Sequence, residues 1–155
     1  MKIKLIIYSE MGRTLSVAKR IQSALEAAGH SVTTLEIKTS DAVRPGVTQL
    51  NFTNFPSIDD ADFIIFGAQV MAFQLSPAMN IYLNQVGGLK GKKCSCFLTQ
   101  HFPFAWMGGN NAISQMKKKC EQKGATTVAT AVINWSNKKR EKQIEDASKL
   151  FVNNL

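Results

Sequence analysis

The chain has 155 residues, of which 45% are hydrophobic and 19% are charged. This composition excludes a disordered chain and a long solvent-exposed coiled coil, and the length favours one globular domain spanning residues 1–155. The net charge is +8 and comes entirely from residues 90–155, which hold twelve basic and four acidic side chains. No apolar run reaches the roughly 20 residues that a membrane-spanning helix needs.

The first part of the chain predicts a strand, a helix and a second strand. Ile3–Tyr8 is a mostly apolar run typical of a strand buried on both faces, and it is too short for a secretory signal. A helical stripe follows and ends at Gly29, a residue suited to the position after a helix. Its members are Val17, Ile21, Ala24, Leu25 and Ala28. Ser31–Ile37 partly alternates and predicts the second strand.

The middle of the chain predicts a long connection and a third strand. Residues 38–57 are polar and contain two prolines, which predicts a loop with one short irregular helix. Phe63–Gly67 is a fully apolar run and predicts a third, buried strand. A loop over 68–76 then leads to a helix over 77–86, which has proline in its first turn.

The last part of the chain repeats the alternation. Lys92–Leu98 predicts the fourth strand, and residues 99–109 are predicted to form an aromatic loop. A helix is predicted over 110–123, and the fifth strand over Thr126–Ile133. The final helix is predicted over Lys138–Val152. Its inward-facing residues are expected to be Ile144, Ala147, Leu150 and Phe151.

Strands that alternate with helices predict an α/β fold with helices on both faces of a parallel sheet. Five strands in a chain of this length favour the order 2-1-3-4-5. In such sheets, ligands bind beyond the carboxyl ends of the strands, near the point where the strand order reverses. The loops 9–14, 68–76 and 99–109 should converge there.

The first of these loops has the features of an anion site. It joins a buried strand to the start of a helix, where backbone amides lack helical acceptors and the helix dipole favours negative charge. Gly12 permits close approach of a ligand, and Arg13 could add a charge-assisted hydrogen bond. The alternative interpretation is an ordinary capped helix start, with Ser9 or Thr14 satisfying the backbone.

The pattern Ser-x-x-Gly-x-Thr between a strand and a helix, at Ser9–Thr14, resembles the phosphate loop of flavodoxin-like proteins. Residues 67–93 are similar to the corresponding stretch of flavodoxin-fold NAD(P)H-dependent FMN reductases and quinone oxidoreductases. The resemblance implies a flavodoxin-like three-layer sandwich that binds FMN.

The resemblance also implies which residues hold the cofactor. The phosphate would lie on the first loop, at Ser9, Met11, Gly12, Arg13 and Thr14. One edge of the flavin ring would lie beside Gln69, Val70, Met71, Ala72 and Phe73. The other side would be walled by Thr99, Gln100, His101, Phe102, Phe104 and Trp106.

The chain departs from the family pattern in its charges and its first loop. Met11 stands where the family usually has a hydroxyl residue, and Arg13 stands where the family often has asparagine. Glu10 must point away from a bound phosphate. Flavodoxins tend to be acidic, whereas this chain is basic, so docking onto the basic partners usual for flavodoxins is not expected.

His101 and the cysteines carry weaker signals. His101 could donate a proton to a reduced ring, or it could be an ordinary loop residue. Cys94, Cys96 and Cys120 have no metal-ligand spacing, so no metal site is predicted and the three are interpreted as packing residues. Their odd number favours a reducing compartment, the cytoplasm.

Three functions are compatible with these patterns. The first is an FMN oxidoreductase that takes electrons from NADH or NADPH and reduces a quinone-like or other small acceptor. The second is a flavodoxin-type electron carrier that serves a redox partner protein, and the third is a binding domain that has lost FMN. Nucleic acid is not favoured, because no aromatic residues interleave with the basic runs, and an oligomer is left open.

Overall fold

The computed structural model describes residues 1–155 and contains eight strands and four helices. The strands are β1 (Lys2–Ile7), β2 (Ser31–Glu36), β3 (Lys38–Thr39), β4 (Phe52–Asn54), β5 (Phe63–Met71), β6 (Gln74–Leu75), β7 (Lys93–Gln100) and β8 (Thr126–Asn134). The helices are α1 (Arg13–Ala27), α2 (Pro77–Gln85), α3 (Gly109–Gln122) and α4 (Arg140–Asn153). Five strands pair in parallel in the order β2-β1-β5-β7-β8, which confirms the predicted order 2-1-3-4-5.

Apolar side chains fill both faces of the sheet, because successive residues of a strand point to opposite sides. In β1, Leu5 and Ile7 join the core under α1 and α4, whereas Ile6 joins the core under α2 and α3. Each face therefore has its own apolar core, and together they hold the strand ends in a fixed arrangement. No helix is long and apolar enough to cross a membrane.

The prediction of a short irregular helix within residues 38–57 was wrong. An antiparallel pair forms there instead, with Lys38 opposite Asn54 and Thr39 opposite Phe52. The amide of Ser40 also donates to the carbonyl of Asn51 at 2.9 Å. Strands of two and three residues are too short to produce a readable alternation.

The segment that contains β3 and β4 is connected to α2 by a buried hydrogen bond. The hydroxyl of Tyr82 donates to the carbonyl of Pro56 at 2.7 Å. Burial raises the pKa of Tyr82, so the hydroxyl keeps the proton that it donates.

Replacing Tyr82 with phenylalanine is expected to lower the free energy of unfolding by about 1–2 kcal/mol, because the carbonyl of Pro56 loses its donor in a buried place. Urea denaturation measures the change. Tyr8→Phe is the matched control, since Tyr8 is also buried but its hydroxyl has no protein partner. Equal losses in the two variants would contradict a specific role for this hydrogen bond.

Several helix details also differ from the sequence prediction. Leu150 was expected to face inward, but it is 39% exposed, because the buried stripe of α4 runs through Ile144, Ala147 and Phe151 and leaves Leu150 on its flank. Ala28 is exposed because α1 ends at Ala27, one residue before it. Helix α4 begins at Arg140, since residues 135–139 form a turn in which the side chain of Asn137 accepts from the amide of Lys139.

Candidate functional site

Three segments meet at the carboxyl ends of β1, β5 and β7, as the fold rule predicts. They are the first loop (residues 8–12), the β5–β6 hairpin (residues 69–75) and the aromatic loop (residues 101–108). A cleft of about 130 Å³ lies where the three meet, and its lining includes Met11, Arg13, Gln69 and Thr99.

The first loop presents a row of free backbone donors. Ser9 acts as a cap for α1, because its hydroxyl accepts from the amide of Leu15 at 3.2 Å. The amides of four consecutive residues, Met11 to Thr14, have no hydrogen-bond acceptor within the protein. Gly12 has a φ of 86°, a left-handed conformation that glycine adopts at little cost. The result is a set of converging N–H groups at the positive end of a helix dipole, suited to an anion.

Arg13 extends from this row towards the aromatic loop. Its guanidinium lies 3.4 Å from Nδ1 of His101 and 5.2 Å from the centre of the Trp135 ring. Arg13 also lines the cleft, so its charge adds to the positive potential there.

Glu10 is held by two hydrogen bonds with Gln69, here called the clasp. The side chain of Gln69 donates to the carboxylate of Glu10 at 2.8 Å, and the amide of Glu10 donates back to Oε1 of Gln69 at 3.2 Å. The clasp joins the first loop to the β5–β6 hairpin.

Thr99 and Gln100, two residues predicted to border the flavin ring, make hydrogen bonds within the protein. The hydroxyls of Thr14 and Thr99 share a buried hydrogen bond of 2.7 Å, which ties α1 to β7. Gln100 is buried, and its amide nitrogen donates to the carbonyl of Phe104 at 2.7 Å and to the side chain of Asn134 at 2.5 Å. Both residues border the cleft, yet their side chains mainly position the loops.

The predicted ring-edge residues lie on a tight hairpin, not in the open loop expected from the sequence. Strand β5 continues four residues past Gly67, and Met71 pairs with Gln74 across a two-residue turn. The turn residues Ala72 and Phe73 have φ values of 49° and 64°. Positive φ at both positions is the geometry of a type I′ turn, which normally uses glycine or asparagine.

This turn stores backbone strain, so Ala72→Gly is expected to raise the free energy of unfolding by about 0.5–1 kcal/mol. Glycine has no Cβ atom, so it adopts the left-handed conformation without the steric cost that alanine has. Part of this stabilisation is lost, because glycine increases the conformational entropy of the unfolded chain. Thermal denaturation measures the shift. Ala28→Gly is the control, because Ala28 is exposed and its φ of -85° carries no such strain. A destabilised Ala72→Gly protein would contradict the assignment of strain.

The aromatic loop touches the hairpin. Phe102 stacks on Phe73 with a centroid distance of 5.5 Å and an interplanar angle of 1°. Phe104 stacks on Trp106 at 6.4 Å and 7°, and Trp106 is 74% exposed. A planar ligand ring that enters between the hairpin and the aromatic loop must therefore separate Phe73 from Phe102, and both side chains are exposed enough to move.

His101 lies on the surface of this loop beside a cation. Its side-chain contact is Arg13, and its carbonyl accepts from Ser136 of the β8–α4 connection. A proton-donor role for His101 stays a prediction. Trp135 and the β8–α4 connection also lie at this site, although the sequence did not predict it. Their position directly after the fifth strand could have indicated it.

The three cysteines come together in the core between the sheet, α2 and α3. Their sulfurs lie within 4.8 Å of one another, and those of Cys96 and Cys120 are 3.9 Å apart. Sequence spacing missed this cluster because Cys120 comes from a different element, α3. All three are fully buried free thiols, and hydrogen bonds with Cys120 and Cys94, together with burial, raise the pKa of Cys96.

Comparisons with known proteins agree with this architecture. No family model matches the chain. A flavodoxin from Megasphaera elsdenii is 24% identical over 135 residues, which cover 85% of each chain. Oxidised flavodoxin 2 from Bacillus cereus superposes with a TM-score of 0.71 at 18% identity and covers all of both chains. Two-electron reduced flavodoxin from M. elsdenii gives 0.62 at 22% identity, over 94% of this chain and 97% of that one.

The predicted closer resemblance to NAD(P)H-dependent FMN reductases and quinone oxidoreductases finds no support among these proteins, which are flavodoxins. The chain has the flavodoxin-like fold, and it is similar in sequence to a flavodoxin.

Proposed function

We propose that the protein binds FMN and works as a one-electron carrier of the flavodoxin kind. The observation that carries the proposal is the row of four free amides from Met11 to Thr14, which lies where the fold predicts a ligand. The alignment with a flavodoxin over 85% of the chain supports the same conclusion.

The residues present fit the phosphate end of FMN. The four amides and Arg13 would donate to the phosphate oxygens, while the carboxylate of Glu10 is held in the clasp with Gln69. Ser9 and Thr14 would act indirectly, since their hydroxyls hold α1 and β7 in place.

The ring would lie between the β5–β6 hairpin and the aromatic loop. Val70 and Met71 are half-buried on the hairpin, and the exposed aromatic rings of Phe102, Phe104 and Trp106 offer faces for stacking. FMN supplies the chemistry, because its ring accepts and releases single electrons. The protein supplies orientation and shields part of the ring from water.

A carrier of this kind would pass electrons to a redox partner protein. We place it in a reducing compartment, the cytoplasm, in keeping with its three free thiols. An NADH- or NADPH-dependent reductase acting on a quinone-like acceptor is the competing function, and the experiment below distinguishes it.

The test is purification of the protein and titration with FMN, followed by stepwise photoreduction under anaerobic conditions. A carrier should take up one FMN per chain and accumulate a stable semiquinone during reduction. Rapid bleaching by NADH or NADPH without a semiquinone would favour the reductase. A chain that takes up no FMN would contradict both functions and favour a binding domain.

A further inference from the structure

We propose that the protein docks its redox partner through a basic patch beside the aromatic loop, and that the partner is a redox protein with an acidic face around its own centre. This inference rests on the proposed function. The basic patch consists of Lys138, Lys139 and Arg140, and its apolar neighbour is the stacked pair Phe104 and Trp106.

The basic patch is fastened directly to the aromatic loop. The side chain of Asn137 donates to the carbonyl of Pro103 at 2.8 Å, and the hydroxyl of Ser136 donates to the carbonyl of His101 at 2.5 Å. Lys138 and Lys139 follow immediately and are exposed. Their charges therefore lie at the same edge of the sheet as the loop that would flank the flavin ring.

Arg140 is held in place, so part of the patch is preorganised. Its guanidinium lies 4.2 Å from the centre of the Trp135 ring and donates to the carbonyl of Trp135 at 2.9 Å. Stacking on an aromatic ring leaves the other face and the remaining N–H groups of a guanidinium available to a carboxylate.

The carboxylates nearest the basic patch are already engaged. Glu141 pairs with Arg20 at 2.7 Å, and this hydrogen bond, with the charges of Arg20 and, to a lesser degree, Arg140, lowers the pKa of Glu141. Glu10 is held in the clasp with Gln69. Asp59, Asp60 and Asp62 precede β5 and so lie near the amino ends of the strands, opposite the carboxyl ends where the site lies. The three basic side chains of the patch outnumber the one carboxylate next to them in the chain, Glu141, so the patch keeps a net positive charge.

An acidic protein suits this surface better than other anionic partners. Exposed aromatic residues next to a charged margin are the composition of protein–protein contacts, in which tryptophan and arginine are enriched. Complementary charge also steers the encounter, which a carrier that exchanges partners needs. The electron must enter a redox centre close to the flavin, and a nucleic acid does not supply one.

The experiment uses the FMN-loaded, reduced protein in stopped-flow mixing with two c-type cytochromes of similar potential, one acidic and one basic. The acidic cytochrome should be reduced faster at low salt, and its advantage should disappear between about 10 mM and about 300 mM salt, because screening shortens the reach of surface charges. The double variant Lys138→Glu with Lys139→Glu should slow reduction of the acidic cytochrome about 10-fold at low salt. The same variant should leave the high-salt rate unchanged.

The matched control is Lys117→Glu with Lys118→Glu on α3, which changes the net charge equally and lies away from the aromatic loop. This control should slow the acidic cytochrome far less than the patch variant. Equal slowing by the two variants would overturn the proposal, because net charge alone would then explain the rates.

Faster reduction of the basic cytochrome at low salt would also overturn the proposal. So would salt-sensitive binding of single-stranded DNA that the patch variant loses, since the patch would then belong to nucleic acid. In each of these cases the flavin signal is present and only the docking inference fails. If the chain takes up no FMN, the proposed function fails and the docking inference falls with it.

Discussion

Replacing Arg13 with glutamate is expected to weaken FMN binding about 100- to 1000-fold. Loss of a hydrogen bond from a charged donor costs about 1.5–3 kcal/mol, and a carboxylate near the phosphate adds about 1 kcal/mol of repulsion. Together these correspond to two or three powers of ten in the dissociation constant. Quenching of flavin fluorescence on titration measures the change.

Two controls separate the phosphate contact from general effects. Lys19→Glu makes the same charge change at an exposed position of α1 and should leave the affinity within a few-fold. Riboflavin has the same ring system without the phosphate, so its binding should change little in the Arg13→Glu protein. If FMN binds equally to the wild-type chain and to Arg13→Glu, the phosphate does not lie at the first loop.

Gly67→Ala is expected to destabilise the fold by about 3 kcal/mol, the upper end of the usual range for overpacking. A Cβ atom at Gly67 would overlap the ring of Phe97 and would lie 2.8 Å from Cδ1 of Ile7. Both neighbours are fully buried in the core under α1 and α4, so neither has room to withdraw. Guanidinium denaturation, or the yield of folded protein if the variant is marginal, measures the loss.

Gly87→Ala is the corresponding control. A Cβ atom at Gly87 meets nothing within 4 Å, and its backbone is not in the left-handed region. Its stability should therefore match that of the wild type. A Gly67→Ala protein of normal stability would mean that Phe97 can repack, and that the two cores are less tightly filled than the geometry indicates.

The sheet could be predicted from the sequence because its strands are buried on both faces. Phe63–Gly67 is apolar without interruption and Ile3–Tyr8 is interrupted only by Lys4, a pattern typical of buried parallel strands. Gly29 ends α1 in the left-handed conformation that its type predicts. The position of the three site loops then followed from the strand order alone.

The β5–β6 hairpin could not be predicted, because its turn consists of Ala72 and Phe73. A type I′ turn is recognised in a sequence by glycine or asparagine, and here the tertiary contact between Phe73 and Phe102 compensates for a poor local fit. Strand pairing of only two residues, as in β6, leaves no alternation to read.

The hydrogen bonds between side chains of different loops also could not be predicted from the sequence. The residue types at the first loop predicted an anion site, with an ordinary capped helix as the alternative. Features of both are present, because the Ser9 hydroxyl accepts from the first turn of α1 while the amides of Met11 to Thr14 stay free. The side-chain partners of Glu10, Thr14 and Gln100 come from segments 34 to 85 residues away. Such pairs depend on loop conformations that no local pattern encodes.

The clasp between Glu10 and Gln69 makes the two ends of the proposed ligand site thermodynamically linked. A group that orders the first loop also restricts the β5–β6 hairpin, because the side chain of Gln69 on the hairpin bonds to both the amide and the carboxylate of Glu10 on the first loop. The phosphate and the ring would then bind cooperatively, each lowering the ordering cost of the other. Inorganic phosphate alone should already slow amide hydrogen exchange in the hairpin, and Gln69→Ala should abolish that long-range protection.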